Sequence, residues 1–177
     1  MALITVVCTG NINRSPFAAA LLRARLDESY IVTSAGLTAN GLIPPSSMLK
    51  AAKKAGVDLA QHRSRLLTAQ DVDTSDLVLC MDRTHPIRIA AISHRAGTNT
   101  FTMREAVDRL GSEMGSLADR VGSATEKRTA GEFIAPAYPD VPDPMGRRPR
   151  AYRQCVDELV ELCRAFAESL EEEPLGH

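Results

Sequence analysis

The sequence is poor in aromatic residues, which make up 4% of its 177 residues and include no tryptophan. It has no charge bias either, because 21 basic residues nearly balance 22 acidic ones. Such a balance argues against a nucleic-acid or membrane partner. No apolar run approaches the roughly 20 residues of a membrane-spanning helix. The length and the 44% hydrophobic content fit one globular domain, expected as a monomer or weak homodimer.

Cysteine is also scarce, and the four cysteines show neither a disulfide framework nor the spacing of zinc ligands. Cys80 falls in an apolar run, and Cys155 and Cys163 fall on the apolar side of the last predicted helix. We expect these three to be small core residues. The chain starts with a predicted strand instead of the basic segment of a signal peptide. We therefore expect a cytoplasmic protein with reduced thiols.

The richest pattern lies in the first twenty residues. The apolar run Leu3–Val7 predicts a strand covered on both faces, and Cys8 follows it directly. Ser15 and Pro16 are typical N-cap and N1 residues, so a helix is predicted to begin there. The loop between strand and helix offers a candidate phosphate-binding set, namely Thr9, Gly10, Asn11, Ile12, Asn13, Arg14 and Ser15.

This loop has the chemistry of an oxyanion site. Its backbone N–H groups can converge on one point, toward which the following helix directs its positive end. A cysteine at that point is favoured as the thiolate nucleophile. The planar fork of Arg14 can hold two oxygens of a tetrahedral anion. These features predict phosphoryl transfer through Cys8. A core cysteine with an arginine nearby by chance stays open as the alternative.

Two hydrophobic periodicities alternate along the chain and predict its fold. Strands are predicted at residues 3–7, 30–34, 76–81 and 99–102, and helices at 16–26, 46–55, 86–92 and 151–168. This order favours a single α/β domain, a central four-stranded parallel sheet with helices on both faces. The domain is expected over residues 1–170, followed by a flexible tail at 171–177. Glycines within 104–135 predict broken helices there, with a mobile link at 123–132.

A cysteine phosphatase also needs a general acid, because the leaving oxygen departs poorly unless it is protonated. The stiff segment 140–146 contains two prolines, a glycine and two candidate carboxylates, Asp140 and Asp143. Residue chemistry alone does not choose between these two.

Residues 7–16, Val-Cys-Thr-Gly-Asn-Ile-Asn-Arg-Ser-Pro, resemble the signature loop of the low-molecular-weight protein tyrosine phosphatases. Asp143-Pro144 resembles the Asp-Pro that supplies the family's acid, which implies Cys8, Arg14 and Asp143 as catalytic residues. Thr33-Ser34-Ala35-Gly36 is similar to the family's second-strand end, and the 61–65 segment to its histidine segment. The resemblance implies that Ser34 and His62 support the loop, His62 by holding Asn11.

Three positions depart from the family pattern. Asn13 stands where many members carry a second cysteine, so Cys8 has no resolving partner within the loop. Met145 stands where an aromatic residue usually follows Asp-Pro, and Asn40 occupies a substrate-wall position that is commonly aromatic or bulky. We expect hydrolysis of phosphate esters with a weaker grip on an aromatic ring, although Met145 can still pack against one.

Several functions are compatible with these residues. Protein-tyrosine-phosphatase activity through a phosphocysteine is the main hypothesis, with no cofactor and no metal. A small, non-peptidic phosphate ester is the alternative substrate that Asn40 and Met145 suggest. An arsenate reductase needs resolving cysteines near the site, whereas Cys155 and Cys163 are expected inside the core. An inactive phosphate-binding module would have no need of Asp143.

Overall fold

The central sheet has four parallel strands in the order β2-β1-β3-β4. The computed structural model describes residues 1–38 and 40–171. Its strands are β1 (Ala2–Cys8), β2 (Tyr30–Gly36), β3 (Leu77–Cys80) and β4 (Thr100–Thr102). The predicted α/β fold is confirmed, and the central strand β1 is paired on both sides, from Ala2 to Cys8 with β2 and from Ile4 to Val7 with β3.

The helices of the described residues connect and flank these strands. They are α1 (Arg14–Arg25), α2 (Ser46–Lys54), α3 (Ala69–Thr74), α4 (His85–Ala90), α5 (Ala96–Asn99), α6 (Met103–Arg109), α7 (Leu117–Glu126), α8 (Ala130–Ile134) and α9 (Pro149–Glu171). The sequence reasoning missed α3 and α5, although Thr68 and Asp71 form a capping box at the start of α3. Within the described ranges, no helix is long and apolar enough to cross a membrane.

Two hydrophobic clusters cover the two faces of the sheet. Side chains alternate along β1, so Ile4 and Val6 pack in a cluster with α1 and α9, whereas Val7 packs with α3, α4 and α5. Because both faces are covered, β1 is apolar from Ala2 to Val7 except at Thr5, whose buried hydroxyl is hydrogen-bonded to those of Thr33 and Ser75. Cys155 and Cys163 lie in the first cluster, and burial raises the pKa of each thiol to about 12.

Residues 104–135 form three short helices, α6 to α8, around a buried arginine. The Arg128 guanidinium stacks 4.1 Å from the Phe101 ring centroid and donates to the carbonyls of Thr100 and Gly97. Within the link predicted at 123–132, α7 continues to Glu126, and the buried side chain of Arg128 anchors the next turn. A tail is predicted at 171–177. Its first residue, Glu171, ends α9, and residues 172–177 lie outside the described residues.

Candidate active site

Cys8 is the last residue of the central strand, with its side chain buried against the loop that follows. Its Sγ accepts hydrogen bonds from the backbone N–H of Asn11, at 3.2 Å, and from the Ser15 hydroxyl, at 3.1 Å. The chain leaves β1 toward β2 on one side, while β3 lies on the other. Cys8 therefore sits where parallel α/β sheets form binding crevices.

The loop of residues 8–15, here named the Cys8 loop, is fixed by the amide side chain of Asn11. Asn11 has a positive φ of 51°, and its Nδ2 donates to the hydroxyls of Ser15 and Ser34 at 3.0 Å each. Its Oδ1 accepts from the N–H of Arg65, and its carbonyl lies 2.7 Å from Nε2 of His62. The predicted supports Ser34 and His62 thus both contact Asn11, the histidine through the backbone oxygen.

Gly36, the last residue of β2, lets this strand approach the Cys8 loop closely. A Cβ atom at Gly36 would lie 2.8 Å from the backbone nitrogen of Asn11 and 2.9 Å from the carbonyl carbon of Gly10. These neighbours are backbone atoms, which cannot swing aside as a long side chain can. Glycine at this position is therefore required for the observed loop geometry.

Arg14 lies beneath the same loop and is 2% exposed. One guanidinium nitrogen donates to the carbonyl of Val141 at 2.9 Å, and the other to Oδ2 of Asp143 at 2.6 Å. Its Nε has no hydrogen-bond partner within the described part of the chain. Helix α1 begins at Arg14, so the predicted capping role of Ser15 is wrong: its hydroxyl points to Cys8 instead.

The two candidate acids lie in different surroundings. Asp143 has a side chain that is 41% exposed, and besides Arg14 it accepts from the N–H of Met145 at 3.0 Å. Asp140 instead accepts from the backbone and side chain of Arg83. Asp143 therefore reaches into the site, whereas Asp140 is engaged at the surface beside Arg83.

A pocket of about 240 Å³ opens above the Cys8 loop. It is lined by Cys8, Thr9, Gly10, Ile12, Asn13, Arg14, Thr38, Leu42, Asp143 and Met145. Of the two expected wall residues, Met145 lines the pocket, whereas Asn40 is exposed and is not among the lining residues. The sequence reasoning missed Thr38 and Leu42. Thr38 is held here because its N–H and hydroxyl both donate to the carbonyl of Thr9.

His85 is a third residue that the sequence reasoning missed. It is buried, with Nε2 3.1 Å from the hydroxyl of Thr9, which in turn lies 3.5 Å from the Arg14 guanidinium. Desolvation lowers the pKa of His85 to about 4, against the opposing effect of Asp82. The imidazole is therefore neutral at pH 7. Nothing in the spacing of the sequence brings His85 to Thr9, because the two are 76 positions apart.

Comparison with known proteins places this geometry in a family. The family model "Low molecular weight phosphotyrosine protein phosphatase" matches residues 3–127. A protein-arginine-phosphatase of Geobacillus stearothermophilus is 30% identical over 171 residues, 96% of this chain and 97% of that protein. The low molecular weight protein-tyrosine-phosphatase Etp of Escherichia coli K12 is 43% identical over 93 residues, 51% of this chain and 61% of that protein.

A solved structure adds a chemical parallel. The YwlE arginine phosphatase, as a cysteine-to-serine mutant with a phosphorylated active-site serine, superimposes with a TM-score of 0.74. It is 29% identical, and the match covers 97% of each chain. The predicted family and hydrolase class are confirmed: this chain belongs to the low molecular weight phosphotyrosine protein phosphatases, a family of cysteine-based phosphatases.

Proposed function

We propose that this protein dephosphorylates phosphotyrosine in other proteins through a phosphocysteine formed on Cys8. The observation that carries the proposal is that Cys8, Arg14 and Asp143 line one pocket. A nucleophile, a bidentate cation and a carboxylate are the three groups that metal-independent phosphoryl transfer to a thiolate requires.

In the first step, the Cys8 thiolate attacks phosphorus in line with the tyrosine oxygen. The S–P bond forms as the P–O bond breaks, and Asp143 gives its proton to the leaving oxygen. Arg14 and the N–H groups of the Cys8 loop stabilise the equatorial oxygens. Within the described residues, the N–H groups of Gly10, Ile12 and Asn13 have no backbone acceptor. They can therefore donate to the phosphate oxygens.

In the second step, water attacks the phosphocysteine. Asp143, now a carboxylate, takes a proton from this water, and the S–P bond breaks to release inorganic phosphate and the Cys8 thiolate. Hydrogen bonds from Ser15 and the Asn11 N–H to Sγ stabilise the thiolate as a leaving group. The phosphorylated active-site serine of the YwlE mutant is consistent with a phosphorylated enzyme intermediate.

The pocket wall supports an aromatic substrate. Ile12, Leu42 and Met145 line the pocket beyond the Cys8 loop and offer apolar surface to a phenyl ring. Leu42 thus supplies apolar bulk to the wall, although Asn40 departs from the bulky residue that the family commonly carries there. Phosphoarginine is the second candidate substrate, because protein-arginine-phosphatases are among the relatives that match nearly the whole chain. A small phosphate ester remains the third.

The cysteines argue against an arsenate reductase. Cys8 lines the pocket, whereas Cys80, Cys155 and Cys163 are buried and are not among its lining residues. Burial raises the pKa of each of these three thiols, so none is poised to attack an oxidised Cys8. All four thiols are free, which supports a reducing compartment such as the cytoplasm.

Hydrolysis of p-nitrophenyl phosphate with EDTA present tests the reaction. We expect activity in the wild type, none in Cys8→Ser, and a strong reduction in Asp143→Asn. Wild-type inactivity, or activity that survives Cys8→Ser, would overturn the mechanism.

Substrate choice is tested separately, with matched phosphotyrosyl and phosphoarginyl peptides and a sugar phosphate. We expect the highest kcat/KM for the phosphotyrosyl peptide. A preference for either of the other two would replace phosphotyrosine as the substrate.

A further inference from the structure

A groove lined by cations runs between α2 and α9. Two adjoining pockets of about 620 and 580 Å³ share Ala51, Lys54 and Arg153 and so form one continuous depression. We name it the basic groove. Five cations line it, namely Lys50, Lys53, Lys54, Arg150 and Arg153, and the loop that leads to it adds Arg147 and Arg148.

These seven cations are one third of the 21 basic residues of a chain whose net charge is −1. All seven are exposed, and none forms an ion pair within the described ranges, 1–38 and 40–171. Asp157 is the one carboxylate among the residues lining either pocket. The groove is therefore strongly positive although the molecule as a whole is not.

This clustering works against local stability. Lys54 and Arg153 line the same pockets, so their like charges repel. Helix α9 has no acidic residue in its first turn, where Arg150 stands, although a helix N-terminus favours negative charge. A set of cations that stability does not favour is consistent with binding of an anionic partner.

The basic groove is connected to the active-site pocket by a short segment. Asp143 and Met145 line the pocket, and Pro149 lines the groove. The Cα atoms of Met145 and Pro149 are four residue steps apart along the chain, so they lie at most about 14 Å from each other. A protein chain that places its phosphorylated residue at Cys8 can therefore reach the groove with residues about three to six positions away.

We propose that the basic groove binds an acidic segment of the phosphoprotein substrate, close in sequence to the phosphorylated residue. This inference rests on the proposed function and specifies its substrate class. A protein segment fits the groove better than a nucleic acid does. Nucleic-acid-binding proteins usually have a high pI and aromatic residues that stack on bases, whereas this chain has a pI of about 6.4 and the groove lining contains no aromatic residue.

The kinetic test compares two phosphotyrosyl peptides that differ only at the positions three to six residues before and after the phosphotyrosine. One peptide carries glutamate at these positions, and the other carries glutamine. We expect the glutamate peptide to have a kcat/KM about five- to tenfold higher at low salt, with the advantage fading as salt is added. Arg153→Glu should remove that advantage and leave p-nitrophenyl phosphate hydrolysis unchanged. Arg95→Glu, an exposed charge reversal outside the groove, should keep it.

Binding of the unphosphorylated glutamate peptide, followed by fluorescence anisotropy, separates failure of this inference from failure of the proposed function. Binding that weakens in Arg153→Glu but not in Arg95→Glu supports the groove even if phosphotyrosine proves not to be the substrate. Equal kcat/KM for the two peptides when both are hydrolysed, or equal effects of the two variants on binding, would overturn the inference. Tighter binding of an oligonucleotide or of anionic lipid vesicles than of the peptide would also overturn it.

Discussion

The Arg14 guanidinium and Oδ2 of Asp143 lie 2.6 Å apart, so the cation that would hold phosphate is paired with the carboxylate that would donate the proton. Arg14 also donates to the carbonyl of Val141, two residues before Asp143. The acid-bearing segment is thereby fixed to the Cys8 loop. A phosphate dianion in the pocket would compete for Arg14 and release Asp143, so the acid is positioned before substrate arrives.

Asp143→Asn should lower kcat in a way that depends on the leaving group. We expect a loss of about 100-fold or more for phenyl phosphate and a smaller loss for p-nitrophenyl phosphate, whose leaving oxygen needs less protonation. Asp140→Asn, a matched carboxylate bound to Arg83, should leave both rates nearly unchanged. Equal losses for the two substrates, or a larger effect of Asp140→Asn, would assign the acid elsewhere.

Gly36→Ala should distort the Cys8 loop, because the new Cβ would meet backbone atoms of Asn11 and Gly10. We expect kcat/KM to fall about 100-fold, since small displacements of reacting groups cost that much. Gly122→Ala is the matched control: no atom lies within 4 Å of its Cβ, and it stands inside α7. It should raise the free energy of unfolding by about 0.5–1 kcal/mol and leave activity intact. Equal activities of the two variants would contradict this account.

His85 should make the free energy of unfolding depend on pH. Its pKa is lowered to about 4, whereas an imidazole in the unfolded chain titrates near about 6.5. The unfolded state therefore binds more protons between these values, and stability falls as pH drops through this window. Between pH 7 and 4.5, denaturant titrations should show the wild type losing about 2–3 kcal/mol more than His85→Gln. Parallel losses would show that His85 is not buried as a neutral group.

Arg128→Ala should destabilise the α6 to α8 region, because it leaves the buried Glu105 and two carbonyls with fewer partners. We expect a loss of about 3–5 kcal/mol in the free energy of unfolding. The neighbouring Lys127→Ala, which removes a surface ion pair with Glu113, should cost less than about 1 kcal/mol. Similar midpoints for both variants in chemical denaturation would exclude the anchoring role of Arg128.

The fold could be predicted because its signals are local. The apolar run of β1 and the helical spacing of α9 each specify an element without knowledge of the rest of the chain. The short helices α3 and α5 carry too few residues for a periodicity to stand out. The burial of Arg128 could not be predicted, because a charged residue is stabilised in the core by partners that only the tertiary structure brings together.

The candidate site could be predicted only in part, for a similar reason. Cys8 and Arg14 are joined by one loop, so residue chemistry draws attention to both. The stiff segment 140–146 offers two carboxylates, and the family resemblance was needed to favour Asp143 over Asp140. Leu42 and His85 reach the site from distant parts of the chain and have no motif of their own. Asn40 was expected at the wall by counting from Ser34, but loop geometry presents Leu42 there instead.

The most direct test of the central claim is to detect phosphate covalently bound to Cys8. Wild type and Asp143→Asn would be mixed with p-nitrophenyl phosphate, quenched within one turnover, digested and analysed by mass spectrometry. The account predicts one phosphoryl group on the peptide that contains Cys8, together with a burst of p-nitrophenol that does not exceed one equivalent per enzyme. Rapid turnover with no phosphoryl group on Cys8, or with the group on another residue, would contradict it.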